Sequence, residues 1–452
     1  MNSKTSLQPN ELDEINAALG EANQAFMRRY PGESNRRQAV HTVYGGAHLF
    51  KADSAQKIGA VALRSLQEYA PDAATLARAL GVGHPDELSQ LVYDRVIEKL
   101  RREPVEDFRL DFEDGYGNRP ETEEDAHAES AAAEVARGLQ DGTLPPFLGI
   151  RIKPLNEDLR VRSMRTLDIF ITALTKATEG KLPPNFVVTV PKIQLPEQVA
   201  AAVRLFAAVE KKTGLTNGAL RLEPMIETPQ AILNQRGEIA LQSLVEAAAG
   251  RCGSVHFGVY DYTANCGITA AYQTMGHPAC DFARQIMLVS LAGTGIHLSD
   301  GATNILPVGP QRASEGHPLT ASQFSENRAA VHAAWRLGFN DNMHSLRTGF
   351  YQGWDLHPAQ LVTRYAAVFT FFLEGLESAS NRLKTFVEKA ALASLFGDVF
   401  DDAATGQGLL NFFLRGIACG AISEAEALAT GLTIEEIRSR SFLKILQWRR
   451  NA

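Results

Sequence analysis

The chain has 452 residues, 45% of them hydrophobic and 21% charged, with a formal net charge of -7; it is long enough to bury a large core, and its acid excess argues against a general nucleic-acid binder. Its four cysteines, Cys252, Cys266, Cys280 and Cys419, include no C-x-x-C pair, which argues against zinc or redox motifs and fits neutral thiols in a reducing compartment. Met1 to Gln24 is polar, without the apolar core of a signal peptide, and no run approaches a membrane span, so a cytoplasmic protein with no membrane partner is expected.

In chain order, apolar residues at helical spacing predict helices over Glu11 to Arg29, Gln56 to Tyr69 and Asp86 to Leu100. Between the first two, a short strand at Ala39 to Tyr44 ends in Gly45-Gly46, a pair suited to a turn or to close approach of a ligand. From about residue 107 short β-type runs alternate with helical ones. Phe108 to Phe112 leads into Glu113-Asp114-Gly115, Leu148 to Ile152 into Lys153-Pro154, and Phe186 to Val190 into Pro191-Lys192. Leu220 to Ile226 leads into Glu227-Thr228-Pro229, and Val255 to Val259 into Tyr260-Asp261. Helices are predicted at Glu197 to Lys212 and Ala231 to Ala249. Tyr116 to Asp141 reads as an inserted loop turning into a solvated helix, and Val308 to Ser325 as a loop. The last part reads as helices over Tyr365 to Leu376, Leu383 to Phe396, Gly408 to Ala418 and Ile434 to Arg450, with a hinge at Asp401 to Gly406.

Alternating strands and helices imply βαβ units and a parallel sheet. Glu113, Arg151, Lys192, Glu227 and Asp261 stand at or just past five successive strand ends, separated by 38, 41, 35 and 34 residues, about one βα unit each. A (β/α)8 TIM barrel brings all five to one mouth, whereas an open doubly wound sheet concentrates its ligand contacts at a switch point. No glycine-rich nucleotide motif is present. The expected organisation is an α/β protein with a helical segment over 1–38, a catalytic barrel over 39–360 and a C-terminal helical extension over 361–452 that serves as a lid or an oligomer contact.

Two carboxylates plus waters are a usual magnesium arrangement, so Glu227 and Asp261, on neighbouring strand ends, are the expected metal ligands; helix capping or a salt bridge is the plainer use of either alone. Arg151 lies within an apolar strand, where burial needs a partner. Its planar fork suits a carboxylate or an enolate oxygen, and a structural pair with Asp111 or Glu113 is compatible with that use. Arg109, Asp111 and Glu113 fall on one face of their strand, which a polar barrel mouth explains. Glu113 and Asp114 are candidates to hold metal-bound water or to orient Arg151, unless Asp114-Gly115 is only a turn. His41, His48, His256, His297 and His357 read as structural.

These motifs resemble those of the citrate lyase beta-subunit and HpcH/HpaI aldolase superfamily. Leu110-Asp111-Phe112-Glu113-Asp114-Gly115 is similar to its Leu-Asp-x-Glu-Asp signature, Ile150-Arg151-Ile152 to its strand-borne Arg, and Val190-Pro191-Lys192 to its Pro-Lys strand end. Ile226-Glu227-Thr228-Pro229 and Phe257-Gly258-Val259-Tyr260-Asp261 resemble its two metal-ligand motifs, and Leu356-His357-Pro358-Ala359-Gln360 its late Ile-His-Pro-x-Gln. The motifs occur in the family's order over roughly residues 40 to 360. The resemblance implies a TIM barrel that forms a homo-oligomer, a trimer or hexamer, often with a C-terminal segment over a neighbour's active site. It implies Mg2+ or Mn2+ on Glu227 and Asp261, a substrate contact from Arg151, and a carbon–carbon lyase acting through a metal-stabilised enolate of a small 2-oxo acid or acyl-CoA. Arg151, Glu113 and Asp114 are then the catalytic candidates, with Arg151, Lys192, Thr228 and Pro229 touching substrate. The sequence departs from the pattern in Asp261-Tyr262, where Asp-Leu is usual, in the acidic insert after Asp114, and in the longer ends. A catalytically silent barrel that binds a metabolite or serves in an assembly is the alternative.

Overall fold

A computed structural model describes residues 9–451 apart from 33, 35, 84, 315–316, 389–393, 397–398 and 402. After α1 (Pro9–Arg29) comes β1 (His41–Gly46), then α2 (Ser54–Tyr69), α3 (Ala73–Leu80) and α4 (Asp86–Arg102). Strand–helix units follow: β2 (Asp107–Asp111) and α5 (Glu121–Asp141), β3 (Phe147–Arg151) and α6 (Arg160–Ala177), β4 (Phe186–Val190) and α7 (Pro196–Thr213). Next are β5 (Arg221–Ile226) with α8 (Pro229–Ile232) and α9 (Leu241–Ala247), and β6 (Ser254–Phe257) with α10 (Val259–Asn265) and α11 (Pro278–Leu291). β7 (His297–Ser299) precedes α12 (Ala321–Arg347), and β8 (Gly353–Asp355) precedes α13 (Gln360–Glu388). The chain ends in a hairpin, β9 (Ser394–Phe396) with β10 (Val399–Asp401), and in α14 (Ala403–Ala418), α15 (Glu424–Ala427), α16 (Ile434–Arg438) and α17 (Phe442–Asn451).

The eight parallel strands run in the order β7-β6-β5-β4-β3-β2-β1-β8. Ser299 bridges Gln352, Asp300 N donates to Gln352 O at 2.8 Å, and Trp354 N donates to Gly301 O at 2.9 Å. These bonds carry the ladder round from β7 to β8, so the expected TIM barrel with helical additions is what forms.

Period-two alternation explains its two surfaces. Phe108, Leu110, Leu148, Ile150, Val188, Val190, Leu222 and Val255 are buried against the helices. Their neighbours point inward and carry charge. Arg109 crosses the barrel to Glu223, with Nε and Nη2 donating at 3.0 and 2.8 Å, and also pairs with Asp107. Gly149 makes room for that crossing: a Cβ there would come within 3.1 Å of Arg109 Cδ and closer than 3.0 Å to Val187 O.

Five sequence expectations need correction. Ala231 to Ala249 is not one helix. Asn234 Oδ1 accepts the Arg236 and Glu238 amides, and Gly237 takes a left-handed φ of 75°, which breaks the segment into α8 and α9. The helix within Tyr116 to Asp141 is not a solvated insert: α5 lays Ala128, Ala131, Ala132 and Val135 into the core and packs on α6. Tyr365 to Leu376 and Leu383 to Glu388 form one helix, α13, because Ala379 and Ser380 are buried along its length; beyond it Ser394–Phe396 is a hairpin strand. The hinge placed at Asp401 to Gly406 falls mostly within α14, where Gly406 lies against Phe386 and Phe442. Finally, Ile434 to Arg450 is split by Arg440, whose φ is 61°. Cys252, Cys280 and Cys419 are buried, Cys266 is exposed and none is paired. Among the described residues no helix is long and apolar enough to cross a membrane.

Candidate active site

The five marked strand ends meet at the carboxyl-terminal mouth. Asp111, the last residue of β2, organises the first of them. Its Oδ1 accepts the Glu113 amide at 2.9 Å and its Oδ2 the Gly115 amide at 2.6 Å, so the turn after β2 is tied to one side chain. Arg151, one strand over and in register with Asp111, gives that carboxylate two further bonds through Nε (2.7 Å) and Nη2 (2.5 Å). Its remaining nitrogen, Nη1, faces Glu113 at 3.0 Å and Asp114 at 3.6 Å. The guanidinium lies over the Tyr44 ring, 4.8 Å from its centre.

Below Arg151 a buried polar chain runs down the barrel. Tyr44 Oη lies 2.9 Å and Trp354 Nε1 3.2 Å from His256 Nδ1, while His256 Nε2 is 3.0 Å from Glu223 Oε2. The indole can only donate, so Nδ1 is the accepting nitrogen and Nε2 carries the proton toward the carboxylate. Thr189 and Ser254 hydroxyls donate to Glu223 at 2.6 Å each. Arg109 first, and then His256, hold its carboxyl well below the usual range in spite of burial.

Lys192 follows β4 with a left-handed φ of 51°, unusual for a residue with a side chain. That turn lets one residue reach two ways. Its amide donates to Glu227 Oε1 at 2.6 Å. Its ammonium pairs with Glu113 and lies 3.3 Å from Asp114 and 3.6 Å from Asp261. These carboxylates outweigh burial and hold Lys192 charged, its pKa raised.

Glu227 is 1% exposed and forms no ion pair among the described residues. Burial first, then the nearby Asp261 charge, holds its carboxyl well above the usual range. Gly258 provides the space it occupies, since a Cβ there would sit closer than 3.0 Å to Glu227 Oε2. Asp261, in the first turn of α10, has a side chain 35% exposed toward the mouth. Burial pushes Glu113 up to about 7 although Arg151 and Lys192 pull the other way. Burial also pushes on Asp114, but hydrogen bonding with Glu113 and the charges of Arg151 and Lys192 hold it below its usual value.

The structure thus brings Glu113, Asp114, Arg151, Lys192, Glu227 and Asp261 together. Thr228 is placed differently. Its hydroxyl donates to Ile193 O at 2.7 Å and accepts the Ala231 amide at 3.3 Å, so it caps α8, of which Pro229 is the first residue. Sequence reasoning missed Tyr44, Glu223 and Trp354, and read His256 as a lone structural histidine. The alternation of Arg221, Glu223, Met225 and Glu227 along β5 was the available signal.

Five carboxylates around the mouth, counting Asp111, face two cations, Arg151 and Lys192. A hard divalent cation suits this surplus: two carboxylates, Glu227 and Asp261, with water completing the shell, are the oxygen donors magnesium takes. Among the described residues no cluster of three or more His, Cys, Asp or Glu is arranged to hold a metal.

A family described as "Domain of unknown function (DUF6986)" matches residues 19–445. No curated protein matches the chain. Among solved structures, a citrate lyase from Burkholderia xenovorans LB400 aligns with a TM-score of 0.54 at 17% identity, covering 77% of this chain and 94% of that one. A malate synthase from Haloferax volcanii aligns with a TM-score of 0.46 at 15% identity over 78% of this chain and 86% of that one. The first of these shows a shared fold.

Proposed function

The chain belongs to the DUF6986 family, and we propose that this member is a magnesium- or manganese-dependent carbon–carbon lyase or synthase acting next to the carbonyl of a small 2-oxo acid or acyl thioester. The observation that carries the reading is Glu227: a fully buried carboxylate without an ion pair, beside Asp261, at a mouth where carboxylates outnumber cations. A citrate lyase built on the same fold supports it.

Glu227 and Asp261 would hold the cation, which when bound supplies a Lewis acid beside the substrate carbonyl. Arg151 offers Nη1, which Asp111 leaves unused and which faces Glu113 at the mouth, to a substrate carboxylate or to the carbonyl oxygen. Asp111 and Tyr44 fix the fork beforehand, so it needs no reorganisation as negative charge grows on that oxygen. In the cleavage direction a hydroxyl on the far carbon gives its proton to solvent and becomes the carbonyl of the departing fragment, while the electron pair of the broken carbon–carbon bond moves to the substrate carbonyl oxygen as an enolate. Glu113, which titrates near neutrality and lies 3.0 Å from Arg151 Nη1, then delivers a proton to the α-carbon; in the reverse direction it removes one. Asp114 and Lys192 keep Glu113 in place. On this reading the active form is a trimer or hexamer, which light scattering of the purified protein tests.

The decisive experiment follows methyl-proton exchange of pyruvate and of acetyl-CoA in D₂O by NMR, with and without Mg2+. Metal-dependent exchange that disappears in Glu227→Gln supports the proposal, and the substrate that exchanges distinguishes aldolase from thioester chemistry. No exchange on either substrate with the cation bound, or undiminished exchange in Glu227→Gln, removes it.

A further inference from the structure

The opposite end of the barrel holds a cavity of about 330 Å³. Arg36, Asn185, Arg221, Ser254, His297 and Gln352 line it, from the segment before β1 and from the starts of the strands. Its deep wall is Asp107 and Glu223; both pair with Arg109, and Glu223 also faces the His256 ring and receives the Ser254 hydroxyl. Arg37, at the rim, is likewise satisfied by Glu103 and Glu106.

Arg221 is different. It is half-buried, yet its guanidinium has no hydrogen bond and no ion pair among the described residues. Its charged neighbours include cations, Arg36 and Arg251, and the latter is spent on Glu210. Burial first, then those two charges, lowers its pKa. Among the described residues Arg36 donates only to Ser34. Burial presses His297 down to about 4, helped by Arg415 and Arg36, so at neutral pH it adds no charge but retains a ring N–H. Two guanidinium groups without an ion pair among the described residues therefore share one cavity with neutral donors, the Asn185 and Gln352 amides and the His297 ring. An unpaired half-buried cation beside another cation costs free energy that an anion would recover, and guanidinium forks fit planar or tetrahedral oxyanions.

We infer that this cavity is a binding site for a small dianionic oxyanion, a phosphate or a short dicarboxylate, with Arg221 as its principal ligand and Arg36 as its gatepost. It lies at the far end of the barrel from Glu227 and Asp261, so it is a site apart from the reaction and does not depend on the function proposed above.

The test is calorimetric titration of the full-length protein in anion-free buffer with inorganic phosphate and, separately, with malonate. Saturable binding of either is expected, weakened at least about tenfold by Arg221→Gln and severalfold by Arg36→Gln, and unchanged by Arg328→Gln, an exposed position on α12. The anion that binds more tightly identifies the chemical class. Without anion, Arg221→Gln should melt no lower than the parent protein, because it removes an unpaired charge; the anion should raise the melting temperature of the parent and not of the variant. Arg36→Gln, on an exposed position, reads the same site independently of any change in stability. Three outcomes overturn the inference: no binding of either anion, binding that Arg221→Gln leaves intact, or a loss of anion-free stability in Arg221→Gln, which would show that Arg221 already serves a structural partner such as a second copy of the chain.

Discussion

At the scale of single residues, burial works against the charge of two carboxylates at the mouth, Glu227 and Glu113. The folded pKa of Glu227 is raised, so the stability tied to its protonated form is present below the unfolded carboxyl value and lost as pH rises through the folded one. Metal-free Glu227→Gln is therefore expected to melt higher than metal-free parent protein at neutral and alkaline pH, and to gain nothing from added Mg2+, as calorimetric scans across pH would show. Glu113, raised to about 7, acts with the same sign. The metal-free melting temperature should decline between about pH 5 and pH 7.5, from the ordinary carboxylate value upward, and Glu113→Gln should flatten that decline. Deeper in the barrel the balance reverses, because Arg109 and the surrounding hydrogen bonds hold Glu223 charged where it stands. Glu223→Ala leaves Arg109 with Asp107 alone and His256 without its carboxylate, and should cost roughly 3–5 kcal/mol in urea denaturation, as breaking a buried pair from one side does. Replacing Arg109 and Glu223 together should cost less than the sum of the single changes.

At the scale of elements, the mouth depends on glycines that let neighbouring strands come close. In Gly258→Ala the new methyl would displace the Glu227 carboxylate, so Mn2+ affinity measured by electron paramagnetic resonance should fall at least about tenfold while the fold persists. Gly149→Ala would press on the Val187 carbonyl and on Arg109 and should be far more destabilising. The elements also show what a sequence can reveal. β2 to β6 were legible because each is an apolar run that stops at a charged residue, and their regular spacing implied a closed barrel. β8 was missed because its three residues, Gly353–Asp355, are too few for any period to show. The inner network escaped because Leu220 to Ile226 was taken as one apolar run, with Glu223 inside it left unweighed. The break between α8 and α9 turns on one Asn side chain capturing two amides, which periodicity does not register. Thr228 was placed beside the substrate by its neighbour Glu227, but the short α8 needs its hydroxyl as a cap.

At the scale of the whole molecule, the C-terminal helices stand at the amino-terminal end of the barrel. Gln38, just before β1, donates its amide to Ala418 O at 3.2 Å and accepts from Arg415 at 2.9 Å. Arg95 of α4 donates to Ala421 O at 2.7 Å and pairs with Glu426. The described part of α14 and α15 therefore lies away from Glu227 and Asp261 and does not cover the mouth of its own barrel. Phe413, fully buried there, should cost about 3–5 kcal/mol when cut to alanine, with Mn2+ affinity unchanged, as titration of the folded variant would show. The pairing of β1 with β8 has a consequence for how the molecule is made. His41 pairs with Gly353, so the ring cannot shut while the ribosome has yet to deliver its final strand. Until then β1 and β7 are open edges, flanked by apolar helices with nothing to pack against, and such edges invite association with other chains. A nascent chain of this kind spends most of its synthesis as an unclosed arc, and its yield in the cell is set by what shields that arc in the interval.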